Sequence, residues 1–422
     1  MLSEMLRDVA ARLYPSVTLS QATRFLPMIH IERGDISSTA AVEIARATRS
    51  RAEAIAAQII DELKGGSPGS WRSDLGYIVL AGAPFNILAH EARTLREAFP
   101  ARPPGAALRD IVALSPDVTV PLYARLRLAA LAGVQALMAV TYEGPCRLTL
   151  VPRPGCVVSS AIEVMQEVRA AVELLAAEEP VERREVRGLL DSVSAGRCTV
   201  FTAHHYHDAL PAPSKSYLGD LKMRETINLR MPADSWLISR ERALPELLSA
   251  SSLRGVLKQL SSDDAWMRWL FHAASSIPSG DFDPMVALFD ECASPLWSAR
   301  VLAERFEWLT GRRIGETDRS ALESLSSVEL PQRPLLVRAI FLPVWLQRAV
   351  CEGDVAACMT VLEQFSAASH AFLNRPDTRR ALSQVPISGS EEQILAGLSF
   401  GLSSILPVVS GGGHAAINST KH

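Results

Sequence analysis

The sequence predicts a mainly α-helical protein with α/β parts. Three observations point there. Apolar residues recur at helical spacing almost without interruption from Asp263 to Pro407. Short apolar runs bracketed by turn residues occur in the first hundred residues and again mid-chain. The run Pro100 to Gly105, Pro-Ala-Arg-Pro-Pro-Gly, separates these regions as a linker would. The expected organisation is an α/β module over 1–100, a mixed central region over 106–260, an antiparallel helix bundle over 263–410 and a disordered tail over 411–422.

The elements follow from local patterning. Leu2, Met5, Leu6, Val9 and Leu13 repeat at helical spacing. Phe25 to Ile31 reads as a strand, Arg33-Gly34-Asp35 as a turn, and Ser37 or Ser38 as the start of a helix whose free N–H groups Ser or Asp can cap. Ala52, Ile55, Ala56, Ile59, Ile60 and Leu63 share one face of the next helix. Gly65 to Gly69 breaks the chain, and Leu75 to Leu80 reads as a strand. In the centre, Leu122 to Met138 and Val164 to Ala177 suit helices, while Leu148 to Val151 and Cys198 to Ala203 suit strands, a βαβ-like alternation. Toward the C-terminus three apolar stripes stand out. They are Leu335, Leu336, Ile340, Val344 and Trp345; Met359, Leu362, Phe365, Ser369 and Phe372; and Ile394, Leu398, Leu402 and Ile405. There is no internal repeat.

Composition narrows the classes. Of 422 residues 48% are apolar and 21% charged, which excludes wholesale disorder, a collagen-like chain and a disulfide-stapled miniprotein. The formal charge of −3 argues against tight sequence-independent nucleic-acid binding and leaves room for a local basic face, so DNA is not an expected partner. The basic residues are mostly arginine, which suits bidentate phosphate contact. Glu4, Arg7 and Asp8 stand where a secretion signal would place its apolar core. The longest charge-free apolar stretch, Leu128 to Tyr142, falls short of the roughly 20 residues that span a bilayer. Six cysteines without C-x-x-C spacing read as reduced thiols. The expected setting is cytoplasmic, with no membrane partner.

Two separated stretches resemble arginyl-tRNA synthetases. Gly34-Asp35-Ile36-Ser37-Ser38-Thr39-Ala40-Ala41 is similar to the family's G-D-x-x-T-N-x-A segment, and Ala81-Gly82-Ala83-Pro84-Phe85-Asn86-Ile87 to its A-G-P-G-F-I-N-F strand end, one residue shorter. In the family both belong to an additional N-terminal domain that contacts the tRNA elbow, so Gly34, Asp35 and Asn86 become candidates by resemblance. Gly34-Asp35 reads equally as a helix-capping turn. Downstream, Asp263 to Phe271 resembles the D-A-x-R-F-x-L segment, and Asp281-Phe282-Asp283 matches L-D-F-D. Ser294 to Arg305 stands in place of N-P-V-x-Y-V-Q-Y-A-H-A-R and keeps its final Arg as Arg305. Leu335 to Pro343 and Leu362 to Asn374 look like the helical anticodon-binding domain of the DALR type, with His370 to Asn374 at H-x-F-Y-N. In that domain aromatic and arginine side chains stack on splayed bases. The tRNA-binding candidates are therefore Arg305, Arg338, Arg348, Phe372, Asn374, Arg375, Arg379 and Arg380. The bland alternative is a solubilising surface.

Between these ends the resemblance implies a reduced Rossmann-like centre. Ser115-Pro116-Asp117-Val118-Thr119-Val120-Pro121-Leu122 looks like the S-P-N-x-T-x-P-L lead-in to the adenylation motif H-x-G-H. Tyr123 to Arg127 follows, without either histidine or the glycine. Ser115, Pro116, Thr119, Pro121 and Arg127 are thus relics of a catalytic motif, or an ordinary loop and helix. Lys215 and Lys222 are scraps of the second catalytic loop. Losing electrostatic stabilisation of the transition state costs orders of magnitude in rate. His204, His205, His207 and Asp208 invite a metal reading, but neighbouring strand residues point to opposite faces, so no metal is expected. The alternating charges of Glu178 to Arg187 read as a solvated helix face, and Asp281 and Asp283 as a capping turn.

The expectation is a non-catalytic arginyl-tRNA synthetase paralogue that binds tRNA, tRNA-Arg first, or modulates a synthetase. It needs no cofactor, and ATP enters only if the centre is active. One alternative is a divergent arginine–tRNA ligase-like enzyme that activates an amino acid or uses aminoacyl-tRNA. Another is a protein-interaction scaffold without RNA.

Overall fold

The computed structural model describes residues 2–19, 24–65, 69–99, 108–114, 122–151, 153–176, 198–204, 225–230, 263–275, 295–311, 313–314, 332–382 and 389–409. The chain forms two units. The first comprises Met1–Pro100, Ala303–Val344 and Ala367–Ser404; the second comprises Ala101–Leu302, Trp345–Ser366 and Ile405–His422.

In the first unit, α1 (Leu2–Leu13) buries Leu2, Leu6 and Ala10 at four-residue spacing. Its first two residues are held by a distant carboxylate. Glu91, fully buried on α4 (Phe85–Ala98), accepts the Leu2 N–H at 2.6 Å and the Ser3 hydroxyl at 2.8 Å. A buried carboxylate is tolerated there because the helix N-terminus supplies donors and positive potential. Strands β1 (Leu26–Pro27), β2 (Ile36–Ser38), β3 (Ser70–Asp74) and β4 (Tyr77–Ala81) make an antiparallel sheet of order β1-β2-β4-β3. Helices α2 (Ala40–Thr48) and α3 (Ala52–Leu63) bury Ile44, Ile55, Ile59, Ile60 and Leu63, while Ile78, Val79 and Leu80 are fully buried in the sheet.

Two local expectations change. The strand expected over Phe25 to Ile31 is only Leu26–Pro27, followed by a 3-10 turn at Ile31–Arg33. The segment expected to begin a helix first makes β2, because Ile36 and Ser38 pair with Leu80 and Ile78. The helix then starts at Ala40, whose N–H is still accepted by the Ser38 hydroxyl at 3.2 Å. The apolar run from Leu75 to Leu80 is likewise divided: Leu75 and Gly76, both at positive φ, form the hairpin turn between β3 and β4.

The second unit is built on a five-stranded sheet. Its strands are β5 (Arg109–Leu114), β6 (Cys146–Leu150), β7 (Cys156–Val158), β8 (Cys198–His204) and β9 (Glu225–Arg230), in the order β7-β6-β5-β8-β9. β6, β5, β8 and β9 run parallel and β7 is an antiparallel edge. Helices α5 (Leu122–Tyr142) and α6 (Ala161–Ala176) alternate with the strands, so the βαβ pattern becomes a parallel sheet. The chain goes from β5 to β6 on one side and then to β8 on the other. That makes β5 and β8 the switch point of the sheet, where open α/β folds place ligands at the strand C-termini.

The remaining helices are α7 (Asp263–Ser275), α8 (Pro295–Thr310), α9 (Arg333–Glu352), α10 (Val355–Leu373), α11 (Pro376–Leu382) and α12 (Gly389–Val409). Every residue of the three predicted stripes is buried. By length and composition α9 could cross a bilayer, but 78% of its most apolar window is buried inside the protein, as in a core helix. Its last turn is tied down by polar groups of the second unit. Arg109 donates to the Cys351 carbonyl at 3.0 Å and pairs with Glu143 at 3.2 Å, and Gln135 donates to the Val350 carbonyl at 3.2 Å. These donors satisfy carbonyls that a helix end leaves open.

Candidate nucleic-acid interface

The junction of α10 and α11 gathers the most candidates. The turn closes with the Asn374 N–H on the His370 carbonyl at 3.0 Å and the Arg375 N–H on the Phe372 carbonyl at 3.1 Å. Pro376 then opens α11, where its missing N–H costs nothing. Asn374, projecting from this turn, accepts from two guanidiniums: Arg305 at 2.5 Å and Arg379 at 3.0 Å. Arg305 comes from α8, 69 residues away. Asn374, Arg375, Arg379 and Arg380 are exposed and Arg305 is half-buried.

The acceptor is a neutral amide, so it orients both arginines without cancelling either charge. Among the described residues neither Arg305 nor Arg379 meets a carboxylate. Two like charges held on one atom repel by about 1 kcal/mol at 4 Å in water, and an arriving phosphate would relieve this. Trp308 stands one helical turn from Arg305 and is 81% exposed.

Trp308 was not among the sequence candidates. A signal was present: α8 buries Ala299, Leu302, Ala303 and Phe306 at helical spacing, and Trp308 falls off that stripe. Phe372, by contrast, is 4% exposed and lies on the buried stripe of α10, which corrects its reading as a base-stacking group.

Two other arginines serve the protein's own structure. Arg348 pairs with Glu352 at 3.1 Å and Asp354 at 2.7 Å, and its guanidinium lies 4.7 Å from the centre of the Trp345 ring. Arg338 is part-buried; burial pulls its guanidinium below the usual range while the charge of Glu32 opposes this. Neither joins the Asn374 cluster.

The N-terminal candidates separate too. Gly34 adopts φ +140°, and a Cβ there would come within 2.3 Å of Val79 Cγ1 and 3.3 Å of the Leu80 carbonyl oxygen. Asp35 is buried. Its carboxylate accepts the Ala83 N–H at 3.0 Å and pairs with Arg333, which also donates to the Ala83 carbonyl at 2.6 Å and lies 4.9 Å from the centre of the Phe85 ring. Asp35 is thus committed to a clamp between two loops and the first residue of α9. Asn86 is exposed in the first turn of α4.

In the second unit Arg127 is buried on α5. Ser115, Pro116, Thr119 and Pro121 lie outside the described residues, as do His205, His207, Asp208, Lys215, Lys222, Glu178 to Arg187, Asp281, Asp283 and the 411–422 tail. His204 ends β8, paired in register with Arg230 of β9. Among the described residues no group of three or more His, Cys, Asp or Glu could hold a metal ion.

No protein-family model matches the chain, and no curated protein matches it. Among solved structures it is similar to the arginyl-tRNA synthetase of Plasmodium falciparum. The TM-score is 0.50 at 8% identity, covering 97% of this chain and 96% of that one. The arginyl-tRNA synthetase of Thermus thermophilus gives a TM-score of 0.49 at 13% identity, covering 97% and 98%. The fold is that of an arginyl-tRNA synthetase. At such low identity the likeness concerns architecture alone: an α/β N-terminal part, a parallel-sheet centre and a helical C-terminal part.

Proposed function

We propose that this synthetase-like chain binds tRNA, with tRNA-Arg the first candidate, and forms no aminoacyl-adenylate. The supporting observation is the pair of guanidiniums, Arg305 and Arg379, aimed by one neutral amide on an exposed helix end. Two cations that meet no carboxylate among the described residues are a ready contact for a phosphodiester backbone, and the exposed Trp308 ring offers a surface on which an unpaired base can stack. Bound tRNA would let the chain modulate a true synthetase by competition or delivery. No cofactor is required for this role.

The segment entering α5 speaks against adenylation. Neither histidine nor the glycine of the adenylation motif occurs between Leu122 and Arg127, so the imidazole donors that would stabilise the phosphate charge developing during adenylation are missing from this stretch. The test is equilibrium binding of tRNA-Arg against a random RNA of equal length at several salt concentrations. The expected result is preference for tRNA, with a salt slope that falls by about 1.5 when Arg305 and Arg379 are both replaced by Ala. Equal binding of the random RNA, or an unchanged slope, would overturn the reading.

A second reading, a divergent ligase-like enzyme, is favoured by one observation: the parallel sheet keeps its switch point between β5 and β8. Amino-acid-dependent ATP–pyrophosphate exchange above background would support it.

A further inference from the structure

We propose that the tip of the β3–β4 hairpin, with the link between α2 and α3, is a docking knob for a protein partner that offers an apolar pocket rimmed by carboxylates. This goes beyond RNA binding and rests on residues outside the Asn374 cluster.

Leu75 is 77% exposed at the hairpin tip and adopts φ +52°. Gly76 follows at φ +83°, and the two residues make a two-residue turn closed by the Asp74–Tyr77 pair. Such turns favour Asn-Gly or Asp-Gly, because the first position must also be left-handed. Leucine there gains neither backbone comfort nor burial within its own chain, so its apolar surface is available for contact outside it. Tyr77 beside it is 43% exposed.

The knob has a basic flank. A Cβ on Gly76 would lie 2.5 Å from Ala52 Cβ, so the tip sits on the first residue of α3. That contact brings alongside it the link Arg49-Ser50-Arg51. Arg49 is also left-handed, at φ +55°; among the described residues it and Leu75 are the non-glycine residues with positive φ. Arg46, Arg49 and Arg51 are all exposed and meet no carboxylate among the described residues. Of the acidic residues in these segments, Glu53 stands in the first turn of α3, where helix N–H groups attract it, and Asp74 sits opposite Tyr77 within the turn.

A protein suits this chemistry better than RNA. RNA is held by phosphate contacts and ring stacking, to which an aliphatic knob contributes little. A projecting Leu and Tyr with flanking Arg is the composition of an anchor that fills a dry pocket inside a polar rim, with Tyr and Arg the residue types that dominate such anchors.

The test uses the full chain as bait for a display library of small folded domains with a randomised concave face, counter-selected on the Leu75→Asp variant. The enriched domains are expected to carry an apolar cleft edged by Asp or Glu. A purified domain of that consensus should bind the parent chain and lose at least about tenfold on Leu75→Asp and on the Arg49→Glu, Arg51→Glu double variant. Circular dichroism of each variant confirms that it is folded. No enrichment over the counter-selection, enriched clefts without acidic rims, or a consensus domain that binds all variants alike, overturns the proposal. So does a parallel titration with tRNA in which the Arg49→Glu, Arg51→Glu variant binds more weakly with a flatter salt slope, since the surface would then be an RNA contact.

Discussion

Gly34 is fixed by space as well as by conformation. At φ +140° an added methyl would meet Val79 Cγ1 at 2.3 Å and the Leu80 carbonyl oxygen at 3.3 Å, and backbone cannot swing aside as a side chain can. Gly34→Ala should cost about 2–3 kcal/mol in urea unfolding, from overpacking and a disfavoured φ together. Leu75 makes the opposite case. Replacing it with Asn, which tolerates the left-handed region, should raise stability by about 1 kcal/mol by the same measurement. If the hairpin tip is an anchor, the more stable protein will be the one that no longer docks. Cys156 gives a third expectation. Burial, reinforced by the negative charge and hydrogen bond of Glu167, pushes its thiol up to about 11 against the partial relief of Arg153. Only the thiolate attacks, so at pH 8 Cys156 should react about a hundredfold more slowly with a disulfide reagent than an ordinary thiol, and catch up near pH 11. Comparing reaction time courses of the parent and Cys156→Ser across pH isolates that slow phase.

The clamp at Asp35 acts between elements. It joins the turn before β2, the loop after β4 and the first residue of α9, with side-chain exposure of 4% at Asp35 and 16% at Arg333. Arg333→Ala would strand a buried carboxylate, and the expected loss is about 3 kcal/mol; adding Asp35→Asn should recover part of it. Both are read from denaturant midpoints. Elements with a period were legible in the sequence, and those without one were not. The stripes through Leu336, Leu362 and Leu398 are each long enough for helical spacing to show, and all are buried. β1 and β2 have two and three residues, which is too short for any alternation. The Leu75 to Leu80 run shows how an apolar stretch hides a turn, since only Gly76 announces it. The site divides in the same way. Arg305 and Asn374 stood out by resemblance, but their meeting across 69 residues is a product of tertiary packing. Phe372 belonged to a core stripe and to a list of surface candidates at once, and periodicity proved the better guide.

For the whole molecule, the order of β-like and helical segments carried the fold class, while the sheet order did not show. β5 pairs with β8 across more than 80 residues of chain, and no local signal encodes that partner. The second unit has a parallel sheet with a switch point, and the residues entering α5, Leu122 to Arg127, include neither histidine nor glycine. Incubated with ATP, arginine and labelled pyrophosphate, with or without tRNA, the chain should show no exchange above a protein-free control. A signal equal to even a thousandth of an active synthetase's would overturn the proposal that the chain forms no aminoacyl-adenylate.

The clamp between Asp35 and Arg333 joins residues 298 positions apart, and this has a bearing on how the protein is made. At roughly 5–20 residues per second, a ribosome exposes the acid for about 15–60 s before its cation emerges. Throughout that interval the nascent N-terminal segment carries an uncompensated group on its way to a dry interior. Final closure of the first unit therefore waits for translation to pass residue 333, and a stall before that point would leave a species for chaperones or proteases to intercept.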